Sequence, residues 1–378
     1  MKLNAVLPTL LMMGTASLAL TASWSVNAQT SAAQPAFADA LAGYLTAVDN
    51  QDAQGQLLQA RLAYELGKAE FGQSHVNTAN LAMNYAHALG LKANYLLRSA
   101  PEEDFPTQTE LLQYAVSVYE KEYGPESTEL VEPLLKLARS YYIDNGRDFN
   151  TKKKNVLRAV ELSKTLPPLV RAEVYIQASH ILSSEYRSLS RRYAEQAYDL
   201  YVEHAPENAV ERNLAAFNMA KFYMGERRYD QAESMLKDVI AQFSVLQYDT
   251  QVSLAAHAFL VELYERKGER ELATEHCLAI GSMTPWLENQ EQTPIFRTLP
   301  DFPTGMAKRN RDGLVQMSFT IDKTGFVKDV EVIKSDGGAA FERSAIKAMQ
   351  EWRYAPKFEN GKPVEAQSTV QLDFLIRR

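Results

Sequence analysis

The chain has 378 residues, enough for two or three domains, and its 46% hydrophobic and 23% charged residues are ordinary for a soluble globular protein. Its 47 acidic and 40 basic residues give a net charge of −7, which argues against a nucleic-acid-binding protein. The single cysteine, Cys277, excludes an intrachain disulfide.

The first 28 residues have the layout of a secretory signal peptide. A lysine is followed by an apolar stretch over residues 6–20 and then by the small-x-small sequence Val26-Asn27-Ala28. We therefore expect cleavage between Ala28 and Gln29. The alternative is an uncleaved membrane anchor, although the stretch contains proline, threonine, serine and glycine and is less apolar than a permanent span.

The middle of the chain has a helical pattern with internal repeats. Over residues 38–280, apolar and small residues recur at spacings of three and four. A segment with Ala220, Tyr223, Tyr229 and Ala232 has a similar counterpart 41 residues later, in which Tyr264 occupies the position of Tyr223. This A-x-x-Y…Y-x-x-A pattern resembles the tetratricopeptide repeat (TPR) family, which implies an α-solenoid of stacked helix pairs that offers a binding surface. A generic helical solenoid or bundle is the alternative.

The pattern changes near the C-terminus. Several prolines over residues 285–303 predict a linker or an extended segment. Apolar and polar residues then alternate, a pattern typical of a half-buried strand. In the next stretch, apolar residues recur at the spacing of one helical face, and after it comes a last alternating stretch. We therefore predict a small α+β domain with a three-stranded antiparallel sheet covered by one helix. The strands are expected at 313–321, 326–334 and 365–376 and the helix at 339–352.

Eight residues of this region occur in an order and spacing that resemble the C-terminal domain of the TonB family. They are Phe302, Pro303, Gly313, Gly325, Phe341, Trp352, Tyr354 and Pro356. The resemblance implies that the last strand lends a free edge to a short partner segment, by β-augmentation. The candidate partner-binding residues are Thr369, Val370, Gln371, Leu372, Asp373 and Phe374. Whether Thr369 or Gln371 bonds outward stays open at this point.

The sequence contains no Gly-x-Ser-x-Gly elbow, no His-Glu-x-x-His and no phosphate loop, and its six histidines lack ligand spacing. It therefore indicates no catalytic residue, cofactor or metal site. The run Lys152-Lys153-Lys154 is interpreted as a solvated helix start. We expect a signal peptide at 1–28, a TPR-like helical domain at 29–284, a linker at 285–300 and a TonB C-terminal-like domain at 301–378.

These features together predict a periplasmic, non-enzymatic adapter associated with TonB-dependent transport across the outer membrane. Its expected partners are envelope proteins, such as outer-membrane receptors or motor-complex proteins, and neither nucleic acid nor a small-molecule substrate. One alternative is a TonB-type energy transducer, anchored in the inner membrane by an uncleaved N-terminal segment. Another is an envelope ligand-binding protein or enzyme.

Overall fold

The computed structural model describes residues 33–95, 106–141, 149–246, 250–284, 286 and 291–376. The chain divides into two compact units, residues 1–118 and residues 119–378. The predicted signal peptide and its cleavage site between Ala28 and Gln29 lie outside the described residues. Within the described ranges, no helix is both long enough and apolar enough to cross a bilayer.

The first unit is helical, and small residues let its helices approach closely. Ala79, Ala82 and Ala86 of the third helix are fully buried. Asp52 is the N-cap of the second helix. Its side chain accepts hydrogen bonds from the backbone N–H groups of residues 54 and 55, at 3.1 and 2.9 Å, and so satisfies two donors that have no partner within the helix. The helices are α1 (Ala33–Asp49), α2 (Ala53–Phe71), α3 (Val76–Tyr95) and α4 (Gln108–Tyr123), of which α4 continues into the second unit.

Four helix pairs begin the second unit. Each helix packs against the next along the chain, as predicted for a TPR-like array, and fully buried alanines such as Ala220 and Ala232 lie at their contacts. The predicted solvation of Lys152 is wrong, because this side chain is buried and pairs with Glu185 at 2.9 Å. The pairs are α5 (Val131–Ser140) with α6 (Phe149–Leu162), α7 (Pro168–Leu182) with α8 (Arg187–His204), α9 (Val210–Gly225) with α10 (Tyr229–Leu246), and α11 (Thr250–Lys267) with α12 (Arg270–Met283).

A small α+β domain follows, and its three-stranded antiparallel sheet is confirmed. The elements are α13 (Thr304–Ala307), β1 (Gly313–Ile321), β2 (Val327–Asp336), α14 (Ala339–Met349), β3 (Lys357–Glu359), β4 (Lys362–Val364) and β5 (Ala366–Phe374). The strand order of the sheet is β2-β1-β5, so the first strand lies in the centre. The short hairpin of β3 with β4 was not predicted from the sequence.

The core of this domain lies between the sheet and α14. Alternate residues of β1 have no exposed surface, and they pack against Phe341 and Ala345 of the helix. Each such apolar side chain contributes roughly 1.5–3 kcal/mol on burial. The predicted helix end at Trp352 is wrong, because α14 ends at Met349. Trp352 nevertheless fills the core, and its indole N–H donates to the carbonyl of Thr298 at 2.9 Å.

We predict that Trp352→Ala lowers the free energy of unfolding of this domain by about 3–5 kcal/mol, because it removes a buried aromatic ring and one hydrogen bond. Urea unfolding followed by near-ultraviolet circular dichroism measures the change. Leu375→Ala is the matched control, since Leu375 is 70% exposed and its truncation should cost less than about 0.5 kcal/mol. Equal losses for the two variants would contradict the role of Trp352 in the core.

Candidate interaction site

The predicted partner-binding strand, β5, lies at an edge of the sheet. It pairs with β1 in an unbroken antiparallel register from Gly313↔Phe374 to Ile321↔Ala366. Among the described residues, β1 is its sole strand partner. The opposite side of β5 therefore presents backbone N–H and C=O groups that no strand in the described sheet satisfies.

The turn between β1 and β2 determines which groups of β5 face outward. Asp322 donates its backbone N–H to the carbonyl of Phe326 at 2.9 Å, so its backbone groups face β2. Successive residues of a strand direct their N–H and C=O groups to opposite sides, so the odd-numbered residues of β1 face β5. Their partners are the even-numbered residues of β5. The backbone N–H and C=O groups of Thr369 and Gln371 therefore both point away from β1, as do those of Gln367 and Asp373.

The side chains of β5 follow the same alternation across the two faces of the sheet. Val370 and Phe374 are buried against the helix and Leu372 is half-buried there. Thr369, Gln371 and Asp373 are exposed on the other face. The outward backbone groups thus belong to the residues with polar, solvent-facing side chains. A partner strand could bond to this edge without displacing the apolar core.

The opposite edge, β2, has a different geometry. Its register with β1 shifts twice, once between Gln316 and Met317 and once between Ser318 and Thr320. The second shift coincides with Asp329, whose φ of 51° lies in the left-handed region. Such bulges interrupt the ladder and twist an edge, which disfavours addition of another strand. The regular edge available for strand pairing is therefore β5.

The residues that carried the family resemblance form the core around this sheet. The ring of Phe302 packs edge-on against Phe341 and Phe374, with centroids 5.5 and 6.0 Å away. Gly313 lies so close to the ring of Phe341 that an added Cβ would be 2.5 Å from it. Pro303 leads into α13, in agreement with its place in an extended segment. Phe302 therefore helps to hold the buried face of β5 in place.

Tyr354 and Gly325 belong to a second group of motif residues, at the β1–β2 turn. Gly325 has a φ of 85°, and its carbonyl accepts the N–H of Tyr354 at 2.9 Å. A Cβ at Gly325 would collide with the carbonyl oxygen of Tyr354. Pro356 approaches the array directly, because an added Cβ at Gly281 of α12 would lie 2.5 Å from its carbonyl oxygen. These glycines permit close contact between the last helix of the array and the C-terminal domain.

Arg353 is the centre of this contact, and the sequence did not reveal its role. Its side chain has no exposed surface, and it forms an ion pair with Glu265 of α11, whose side chain is 2% exposed. The guanidinium also donates to the hydroxyl of Thr274 at 2.7 Å and to the carbonyl of Thr324 at 3.0 Å. It stacks 3.7 Å from the ring centroid of Phe326. One arginine thus joins the last helix pair to the sheet.

The backbone of Arg353 is held equally firmly. Its N–H donates to the carbonyl of Phe296 at 2.9 Å, and its carbonyl accepts the N–H of Ile295 at 2.8 Å. On the helical side, Arg270 approaches Glu265 at 3.5 Å and pairs with Glu351. Burial beside this cluster raises the pKa of the Cys277 thiol to about 12, so the thiol is protonated at neutral pH. Cys277 has no exposed surface and shares an apolar cluster with Ala273 and Ile280, so it is a packing residue.

The spacing of the histidines in the sequence did not reveal that two of them are in contact within the array. His257 and His276 are distant in sequence, but their Nδ1 atoms lie 2.8 Å apart. The ring of His276 also stacks on Tyr264, with centroids 5.7 Å apart. Burial and the neighbouring His257 lower the pKa of His276 to about 4. No set of three or more His, Cys, Asp or Glu side chains suited to a metal ion occurs in the part of the chain described here.

The C-terminal part of the chain matches a known family of domains. Residues 298–376 match the family model of the Gram-negative bacterial TonB protein C-terminal. The predicted resemblance to a TonB C-terminal domain is confirmed over these residues. "Protein TonB" of Pseudomonas aeruginosa is 30% identical over 92 residues, which are 24% of this chain and 27% of that protein. "Protein tonB2" of the same organism is 27% identical over 77 residues, 20% of this chain and 28% of that protein.

The chain thus covers little more than a quarter of the length of these two relatives. Among solved structures, the solution structure of the Pseudomonas aeruginosa TonB CTD is 30% identical, with 24% of this chain and 93% of that chain covered and a TM-score of 0.22. The crystal structure of TPR-like repeats from a putative kinesin light chain of Podosopora anserina is 17% identical, with 56% and 95% covered and a TM-score of 0.44.

We predict that Arg353→Leu lowers the free energy of unfolding by about 3–5 kcal/mol, because it leaves the buried carboxylate of Glu265 without its main partner. Combining Arg353→Leu with Glu265→Leu should recover much of the lost free energy of unfolding, since neither charge of the buried pair then remains. Chemical unfolding of the four proteins of this double-mutant cycle measures the coupling.

The exposed pair Lys136–Glu132, at 2.8 Å, provides the control for this cycle. Lys136→Ala should change the free energy of unfolding by no more than about 1 kcal/mol, because both groups stay in water. A double variant as unstable as Arg353→Leu alone would show that the arginine acts through its volume and not through its charge.

Proposed function

We propose that this chain is an exported, non-enzymatic interaction protein of the bacterial envelope, associated with TonB-dependent transport, and that its edge strand β5 binds a short segment of a partner protein. The proposal rests mainly on one observation. β5 is an unbulged edge whose outward groups, at Gln367, Thr369, Gln371 and Asp373, have no strand partner among the described residues. The TonB C-terminal match over residues 298–376 supports the same reading.

The mode of binding would be strand addition. An extended peptide beside β5 bonds to the outward N–H and C=O groups, and each backbone hydrogen bond contributes a net 0.5–1.5 kcal/mol or so. Ordering of the peptide opposes these gains, so the expected binding is weak and reversible. Outer-membrane receptors of TonB-dependent transport and proteins of the motor complex are the proposed partners. The proposal also includes removal of residues 1–28. The mature chain then has a TPR-like helical domain at 29–284, a linker at 285–300 and a TonB C-terminal-like domain at 301–378.

The proposed mode of binding predicts that Thr369→Pro and Gln371→Pro, made one at a time, abolish binding of a receptor N-terminal peptide from the same organism. Proline lacks the N–H that the added strand needs, but at these outward positions it breaks no hydrogen bond to β1. Isothermal titration calorimetry with the full-length chain measures the affinity, and circular dichroism confirms that each variant is folded.

Gln371→Ala is the matched control, because it removes the side chain and keeps the backbone N–H. It should bind within about twofold of the unmodified chain, a change below roughly 0.4 kcal/mol. Folded proline variants that bind as well as Gln371→Ala would exclude strand addition at β5.

The alternative reading, an energy transducer with an uncleaved anchor, makes a different prediction for the N-terminus. The adapter reading predicts that N-terminal sequencing of the exported chain begins at Gln29 and that the protein fractionates with the periplasm. Recovery of residues 1–28 in the inner-membrane fraction would favour the transducer. Neither result depends on the β5 measurement, so location and binding are tested separately.

A further inference from the structure

An open pocket of about 560 Å³ is lined by residues of α6, of the turn that follows α7 and of the beginning of α8. We call it the α6–α8 pocket. Helices α6 and α8 are the second helices of two successive pairs. The volume lies within the roughly 300–1,000 Å³ of small-molecule sites, so the pocket is large enough for a small organic ligand.

Two contacts between α6 and the α7–α8 turn hold the walls of the α6–α8 pocket in place. The hydroxyl of Tyr186, in the turn, donates to the carbonyl of Phe149 at the start of α6, at 3.1 Å. The ammonium of Lys152 pairs with the carboxylate of Glu185 at 2.9 Å, and these side chains are only 5% and 13% exposed. Both contacts form within the chain itself, so the shape of the pocket does not require a ligand.

The lining of the α6–α8 pocket carries an excess of positive charge. Lys153, Arg187 and Arg192 contribute a cation each. Glu185 contributes a carboxylate, but its pairing with Lys152 leaves that pair neutral. In the part of the chain that the structure describes, none of the three lining cations forms a salt bridge. Charges of one sign that line a concave site concentrate counter-ions there, so the pocket attracts anions.

The acidic residues close to these cations already have a basic partner. Glu195 follows Arg192 by one turn of α8, and its carboxylate approaches Arg191 at 3.6 Å. Glu226 follows Gly225, against which Arg187 lies, and its carboxylate is 2.8 Å from the same Arg191. Arg191 does not line the pocket. These two carboxylates therefore interact with a different arginine from those of the lining.

Apolar side chains line the same pocket. Leu157 of α6 is 37% exposed, and Leu189 of α8 is half-buried. The ring of Tyr186 is a third apolar surface, and the ammonium of Lys153 stands 4.9 Å from its centroid. Small-molecule sites typically combine such apolar surface with a few charged or polar groups. The lining therefore suits an anion that also has an organic body.

From this lining we propose that the α6–α8 pocket binds a phosphomonoester, that is, a phosphate group on an organic body. A phosphomonoester has a charge of about −1.5 to −2 at pH 7 and three free oxygens, which suits two guanidinium groups and an ammonium group better than a singly charged carboxylate does. The hydroxyl of Ser188 also lines the pocket and can donate to a phosphate oxygen. Leu157 and Leu189 contact the organic body. This site is independent of strand addition at β5.

Two forms of the phosphate group test the proposal with the full-length chain. Phenyl phosphate is the soluble probe, and benzoate, which has the same ring and a single negative charge, is its comparison. Isothermal titration calorimetry should show that phenyl phosphate binds at least about tenfold more tightly than benzoate and that its affinity falls as ionic strength rises.

The lipid form is tested by co-sedimentation with phosphatidylcholine vesicles that contain phosphatidic acid, a phosphomonoester. Vesicles with the same fraction of phosphatidylglycerol, a phosphodiester, are the comparison. Binding of phenyl phosphate supports a soluble ligand, and preferential binding of the phosphatidic acid vesicles without phenyl phosphate binding supports a lipid headgroup. No binding of either phosphomonoester, or equal binding within each pair of probes, would overturn the proposal.

Removal of two lining cations locates the site. The double variant Lys153→Ala/Arg192→Ala should bind the phosphomonoester at least about tenfold more weakly, a loss that corresponds to about 1.4 kcal/mol. The control Lys154→Ala/Arg343→Ala removes the same two charges at exposed positions outside the pocket and should bind within about twofold of the unmodified chain. Circular dichroism checks that both variants are folded. Equal losses in the two folded variants would show long-range attraction without a site and would contradict the proposal.

Discussion

The buried ion pair between Arg353 and Glu265 is the interaction on which the second unit depends. The two residues are 88 positions apart, and each lies almost entirely out of water. A buried charge is destabilising unless it is paired and hydrogen-bonded. Here a terminal guanidinium nitrogen also donates to Thr274 and Thr324, while the Nε of Arg353 has no hydrogen-bond partner among the described residues. The geometry can form only when α11, α12 and the β1–β2 turn come together. The ion pair therefore favours one arrangement of the C-terminal domain on α11 and α12 over other arrangements that would bury a similar apolar area.

This docking leaves the two edges of the sheet with different properties. The array meets the turn at Gly325 and the segment around Pro356, and among the described residues no strand pairs with the outward side of β5. The β2 edge is interrupted by two register shifts, and the β5 edge is regular. A sheet with one irregular and one regular edge can accept a partner strand without polymerising through both edges. The array thus supports the domain while the proposed binding edge stays open.

Local patterns in the sequence predicted the elements of the C-terminal domain better than the contacts between domains. Alternation in β1 identifies the strand directly, because a period of two fixes which residues face the helix. The β3–β4 hairpin was missed because its strands of three residues are too short to show a period. Glu265 was missed because it stands in a charged stretch that also contains Arg266, Lys267 and Glu269, so it looks solvated. Its burial depends on Arg353, which no local pattern places beside it.

The junction also has a consequence for the end of the helical array. A solenoid exposes an apolar face at its last repeat, and such proteins need a polar terminal cap to remain soluble. Here Ile280 of α12 shares an apolar cluster with Ile295, Phe296 and Ala355 of the segments that flank the sheet. The C-terminal domain therefore acts as the terminal cap of the array. Losing it would uncover that face, so the domain contributes to the solubility of the repeats as well as to the proposed binding.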